Sequence, residues 1–166
     1  MIKILRETHL GILREILEVT ITQEDYNLAA LKGFKRHLSA RINNNIRGDG
    51  TKATWDDDIN GALGEYIASL GLGKEWNYPG GVGQPDLVGG IEVRTVMSDD
   101  RRLLIKPKDK DDSPYVLVIG TDNHLVWRIT GYLHARDGKK ATFKDPLRPI
   151  YLVDQAYLNP ILELKQ

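Results

Sequence analysis

Residues 61–96 read GALGEYIASLGLGKEWNYPGGVGQPDLVGGIEVRTV, and the hydrophobic period changes inside this stretch. Up to Leu70, apolar residues recur at helical spacing. Trp55, Ile59, Ala62, Leu63, Tyr66, Ile67 and Leu70 form one stripe. Thr54 stands at the N-cap position, three acids fill the first turn, and Gly71 and Gly73 supply a stop. The spacing therefore predicts a helix from Trp55 to about Leu70. Past the connection, Asp86 to Val88 and Ile91 to Met97 read as two strands around Gly89-Gly90.

Working outward, strands are expected at Leu103 to Ile105, Tyr115 to Ile119, Leu125 to Leu133 and again around Ile150 to Val153, followed by a short helix. Upstream, Leu5, Ile12, Leu13 and Ile16 suit one amphipathic helix, and Tyr26, Leu28, Leu31, Phe34 and Leu38 suit another. The Asn- and Gly-rich stretch 43–54 reads as a loop. The expected fold class is α/β, of the layered α+β type, with helices packed on a sheet. It is one domain over 1–166, with a helical N-terminal part (1–54), a core (55–133) and a C-terminal extension (134–166).

Composition narrows the partners. The chain contains no cysteine, which excludes disulfides and thiolate metal sites and is compatible with a reducing, cytoplasmic setting. The first eighteen residues carry charges throughout, unlike a signal peptide, and no stretch has the apolar length of a membrane span. Lys and Arg total 23 against 23 Asp and Glu, a balance that argues against non-specific gripping of a polyanion. The charge is uneven, however. Lys32, Lys35, Arg36, His37, Arg41, Arg47 and Lys52 crowd one segment with Asp49 as its sole acid, which reads either as a phosphate-contacting face or as a solvated helix face. Gly80-Gly81-Val82-Gly83 lacks the Lys-Ser/Thr of a phosphate loop, so no nucleotide cofactor is expected. The four histidines are scattered and form no zinc motif.

Three acids stand in apolar or glycine-rich surroundings. Glu65 falls just off the helical stripe, at the expected rim between core and solvent. Gly61 and Gly64 each weaken that helix by roughly 1 kcal/mol relative to Ala, which calls for a compensating close approach to a neighbour. Asp86 follows Pro85, and Glu92 interrupts an apolar strand, sharing one face with Arg94. Singly, each reads as a surface residue. Together, carboxylates on adjoining strands suit a hard cation such as Mg²⁺. Convergence depends on register. A two-residue Gly89-Gly90 turn sends Asp86 and Glu92 to opposite faces, whereas a three-residue Val88-Gly89-Gly90 loop places them opposite each other on one face.

Pro85-Asp86 followed by Glu92-Val93-Arg94, with a helical Glu65 upstream, resembles the signature of the PD-(D/E)xK nuclease superfamily, across about Trp55 to Gly120. The pattern around Trp127 to Gly131 and Leu152-Val153 is similar to small nuclease-like proteins often encoded by bacteriophages. The resemblance implies a restriction-endonuclease-like core, a mixed β-sheet flanked by helices. It implies a Mg²⁺- or Mn²⁺-dependent endo- or exonuclease hydrolysing DNA phosphodiester bonds to a 5′-phosphate and a 3′-hydroxyl. Asp86, Glu92 and the Val93 carbonyl would hold the metal, helped by Glu65 directly or through water. Glu65, Asp86, Glu92 and Arg94 would form the catalytic set, with Lys32, Lys35, Arg36, Arg41, Arg47, Lys52 and Lys106 contacting DNA. A homodimer would supply two sites for symmetric cutting. The family usually carries Lys where this chain has Arg94, and Arg stays protonated and cannot serve as a base. Three alternatives follow: Arg94 acts electrostatically, Lys106 takes the missing role, or the domain is a catalytically weak or inactive DNA-binding or assembly module.

Overall fold

The computed structural model describes residues 1–43, 53–79 and 83–165. The expected loop at 44–52, with Arg47 and Lys52, and Gly80 to Val82 lie outside them. The chain opens with β1 (Ile2–His9) and β2 (Ile12–Thr20), continues through α1 (Gln23–Ile42) and α2 (Trp55–Leu72), and then runs β3 (Glu92–Val96), β4 (Leu103–Ile105), β5 (Pro114–Gly120) and β6 (Val126–His134). A short helix α3 (Ala135–Gly138) and β7 (Tyr151–Val153) follow, with single 3-10 turns around β7.

Residues 2–20 correct the sequence expectation: they form an antiparallel hairpin and contain no helix. The two turn residues, Leu10 and Gly11, both have positive φ (48° and 79°), a conformation that matches the twist of a two-residue hairpin. Ile16 and Leu17 are adjacent in sequence and both fully buried, because β2 is covered on both faces. A strand covered twice shows a continuous apolar run that mimics part of a helical stripe. The segment 1–54 thus begins with two strands of 8 and 9 residues before the 20 residues of α1.

The main sheet has five strands in the order β1-β2-β6-β5-β3 and is mixed: β3 runs parallel to β5, and the other pairs are antiparallel. α2 lies on one face, where Leu63 and Ile67 meet Leu17, Val116, Val118 and Ile129 in one core. The opposite face carries a second core around Leu103, Ile105, Leu117, Ile119 and Val153. The β4–β7 ribbon supplies three of those residues, so the C-terminal segment completes a layer of the fold where an extension was expected. The result is a mixed α/β domain with a mixed sheet, as the sequence indicated.

α2 matches its predicted start. The Thr54 hydroxyl accepts from the Asp57 N–H, the Asp57 carboxylate accepts from the Thr54 N–H, and Gly73 closes the helix in the left-handed conformation. The close approach expected at the helix glycines is found at Gly64, whereas a Cβ on Gly61 would meet only the Arg36 side chain at 3.2 Å and that of Glu65 at 4.0 Å. A Cβ on Gly64 would lie 1.8 Å from the Thr95 hydroxyl oxygen, and one on Gly33 would lie 2.6 Å from the Asp58 carbonyl oxygen. Glycine thus lets α2 press onto β3 and α1 onto α2. Gly64→Ala should lower stability by about 1–3 kcal/mol through this clash, against the roughly 1 kcal/mol that Ala ordinarily adds to a helix. Denaturant melts read the sign directly, and a stabilised variant would contradict the close packing.

Candidate active site

Three elements meet at the start of β3. The close approach at Gly64 fixes the next residue, Glu65, beside the strand. Glu65 is only 8% exposed, so the expected position at the rim is corrected to a buried one. Its carboxylate accepts two hydrogen bonds from Arg36 Nη1 (2.8 and 3.1 Å) and one from the Trp76 indole N–H (2.9 Å).

The second element is the connection around Asp86. The expected strand from Asp86 to Val88 is reduced to a bridge at Leu87, which pairs with both Trp76 and Ile91. The Leu87 N–H donates to the Ile91 carbonyl (3.0 Å), leaving Val88, Gly89 and Gly90 as the loop. This is the three-residue register, with Gly89 and Gly90 at φ 95° and 79°. It sets Asp86 across from Glu92. Asp86 Oδ2 accepts the Val93 N–H at 2.8 Å, and Oδ1 accepts no hydrogen bond among the described residues.

β3 is the third element and the edge of the sheet. Val93 pairs with Val116 on the helix side, while Glu92 and Arg94 pair with Tyr115 and Leu117 toward the second core. A strand residue's N–H and C=O point to one edge, so the Val93 carbonyl shares the free edge with the Asp86 carboxylate. The Glu92 side chain makes no hydrogen bond or ion pair among the described residues. Arg94 Nη2 donates to Asp109 Oδ2 (2.9 Å), and the guanidinium carbon lies 4.6 Å from the Tyr115 ring centroid.

The three acids form a row with Asp86 in the middle. Burial raises the Glu65 carboxyl above its usual range, and the charge of Asp86 adds to this. Burial, opposed by the Val93 hydrogen bond and aided by the charge of Glu92, pushes Asp86 up to about 6. Glu92 is likewise raised, chiefly by burial. The single meeting point expected from sequence is not formed: among the described residues, no group of three or more His, Cys, Asp and Glu side chains is arranged to hold one metal ion. Glu65 is occupied by Arg36 and Trp76 on the helix side, whereas Glu92 faces the other side. Asp86, Glu92 and the Val93 carbonyl nevertheless make an all-oxygen donor set with unsatisfied carboxylate oxygens, which fits a hard divalent cation completed by water.

The basic residues separate into different roles. Arg36, expected on phosphate, is half-buried and bonded to Glu65 and the Asp58 carbonyl. Lys32 lies over the Trp76 and Tyr78 rings, 4.4 and 4.6 Å from their centroids. Lys35 and Arg41 are exposed, and Arg41 Nε donates to the buried His37 at 3.3 Å. Lys106 is half-buried beside β4, its N–H donating to Asp109 at 2.8 Å. Sequence reading missed Arg36 and Trp76 as Glu65's partners and Asp109 as that of Arg94. The mixed-charge run 106–112 carried no local sign that one of its acids is buried.

Asp86 makes the metal-free protein pH-sensitive. Its carboxyl in the folded chain titrates above the unfolded value, so its contribution to stability is complete below about pH 4 and is lost as pH rises through about 6. Asp86→Asn, which keeps a hydrogen-bond acceptor for Val93, should therefore be more stable than wild type at pH 7 by roughly 1–3 kcal/mol and flatten this dependence. Urea melts at pH 5 and pH 7 measure it, and identical pH profiles for the two proteins would rule the effect out.

No family model, curated protein or solved structure matches this chain, so its functional reading rests on the chemistry of the site itself.

Proposed function

We propose that the protein is a metal-dependent phosphodiesterase acting on DNA, built on a restriction-endonuclease-like core. The observation that carries the reading is the register of the Val88-Gly89-Gly90 loop, which sets Asp86 across from Glu92 at the free edge of β3. Partial burial disfavours charge on both carboxylates, and a cation shared between them would offset that penalty.

Asp86, Glu92 and the Val93 carbonyl would hold Mg²⁺ or Mn²⁺. When bound, such a cation neutralises charge on a phosphodiester and lowers the pKa of a coordinated water. Glu65 sits one step back, fixed by Arg36 and Trp76, and its carboxyl is raised by the charge of Asp86. Arg94 is a permanent cation beside Glu92 and suits stabilisation of negative charge on the phosphate. A cleft of about 560 Å³ runs along β3 from Val93 and Arg94, between Asn60 and Gly61 of α2 and Ser98 and Arg101 beyond the strand. It offers a path for a strand of nucleic acid, with Arg101 as a cation along it.

A second reading is a DNA-binding or assembly module without catalysis, favoured by the engagement of Arg94 with Asp109. Metal affinity separates the two. Calorimetry of the wild type should show Mn²⁺ binding that Asp86→Ala abolishes. The same variant should lose roughly 100-fold or more of Mg²⁺- or Mn²⁺-dependent DNA cleavage, the equivalent of several kcal/mol in the transition state. Unchanged cleavage by Asp86→Ala would eliminate the proposed site, and a wild type without metal affinity would leave the binding module.

A further inference from the structure

Arg94 stands between two acids. Glu92 is two residues earlier on the same face of β3, and the Arg94 charge acts directly on it. Asp109 comes from the turn between β4 and β5. The guanidinium bonds to the second of these. Arg94 Nη2 donates to Asp109 Oδ2 (2.9 Å), Nε donates to the Leu104 carbonyl (3.3 Å), Nη1 lies 3.4 Å from the Val93 carbonyl, and the Tyr115 ring supports its plane.

The acceptor is itself fixed. The Asp109 side chain is 8% exposed, and Oδ2 also accepts the Lys106 N–H at 2.8 Å. Its own N–H donates to the Lys106 carbonyl at 3.0 Å, and Lys139 Nζ donates to the Asp109 carbonyl at 2.5 Å. Lys110, the other cation acting on Glu92, is exposed and donates to the Gly83 carbonyl at 3.1 Å. Both neighbouring cations are therefore tied to other oxygens, and the Glu92 side chain is left without a hydrogen bond or ion pair among the described residues.

We infer that Asp109 is a positioning residue that holds Arg94 off Glu92, keeping the Glu92 carboxylate open to a divalent cation. The inference rests on the proposed metal site. A bidentate Arg–carboxylate pair is a strong, geometrically fixed contact, so an Arg94 released onto Glu92 would compete with the metal for the same oxygens. Held by Asp109, the same guanidinium stays within reach of the site while its charge is balanced elsewhere.

The test uses full-length Asp109→Asn, Asp109→Glu and the double variant Arg94→Ala/Asp109→Asn, each checked for folding by thermal melts. Metal-free crystal structures give the first readout: in Asp109→Asn, Arg94 should turn onto Glu92, and in Asp109→Glu it should stay on the acid at 109. Calorimetry with Mn²⁺ alone gives the second. Asp109→Asn should bind about tenfold more weakly, the scale of one charge–charge contact, while Asp109→Glu and the double variant return to wild-type affinity. An Arg94 that remains in place in Asp109→Asn, or a double variant as weak as the single one, overturns the inference. Wild-type protein with no Mn²⁺ affinity overturns the metal site instead, and the position of Arg94 in Asp109→Asn then decides the question of what Asp109 does.

Discussion

The approach of α2 to β3 at Gly64 is the constraint on which the site depends. With no side chain at that position, the helix backbone comes down onto Thr95. Glu65 is then delivered to the start of an edge strand that it would otherwise stand clear of. The neighbouring glycine contact, Gly33 against the Asp58 carbonyl, brings α1 equally close and lets Arg36 reach Glu65 from a different helix. Two glycine contacts thus convert two amphipathic helices into one rigid support, and the first carboxylate of the row is buried and paired before any ligand is considered.

From that support the electrostatics follow a gradient. The Glu65 carboxylate accepts hydrogen bonds from Arg36 and Trp76, that of Asp86 has one backbone donor, and that of Glu92 has none among the described residues. The number of donors facing each carboxylate therefore falls from Glu65 to Glu92. A protein with zero net charge can still create a strongly polarised point when its cations are bound up locally, as Arg36 and Arg94 are. The overall charge balance says little about such a point, because the field there is set by a few partners at 3 Å.

Much of this was legible in the chain. The limits of α2 followed from Thr54, three acids and Gly73, all of which act within one helical turn. The three-residue loop was one of two registers that Gly89-Gly90 allowed, the one that a shared cation would require, and sequence alone did not choose between them. The N-terminal hairpin was not legible, since Ile16 and Leu17 are buried by two different layers and their adjacency carries no period. Nor were the pairs Arg36–Glu65 and Arg94–Asp109. They join residues 29 and 15 positions apart, and nothing local in a run such as Lys108-Asp109-Lys110-Asp111-Asp112 distinguishes the buried acid from its solvated neighbours. Local signals fix elements, whereas the partners of a buried charge are decided by how those elements stack.

The hydrogen bond from the Val93 N–H to Asp86 has a consequence outside chemistry. β3 is a border strand of the main sheet, and borders with free amide groups recruit strands from other molecules. Asp86 occupies one of those groups with a carboxylate and brings charge to the border, a combination that repels an incoming backbone. The carboxylate that caps this amide thus guards the edge against intermolecular sheet growth.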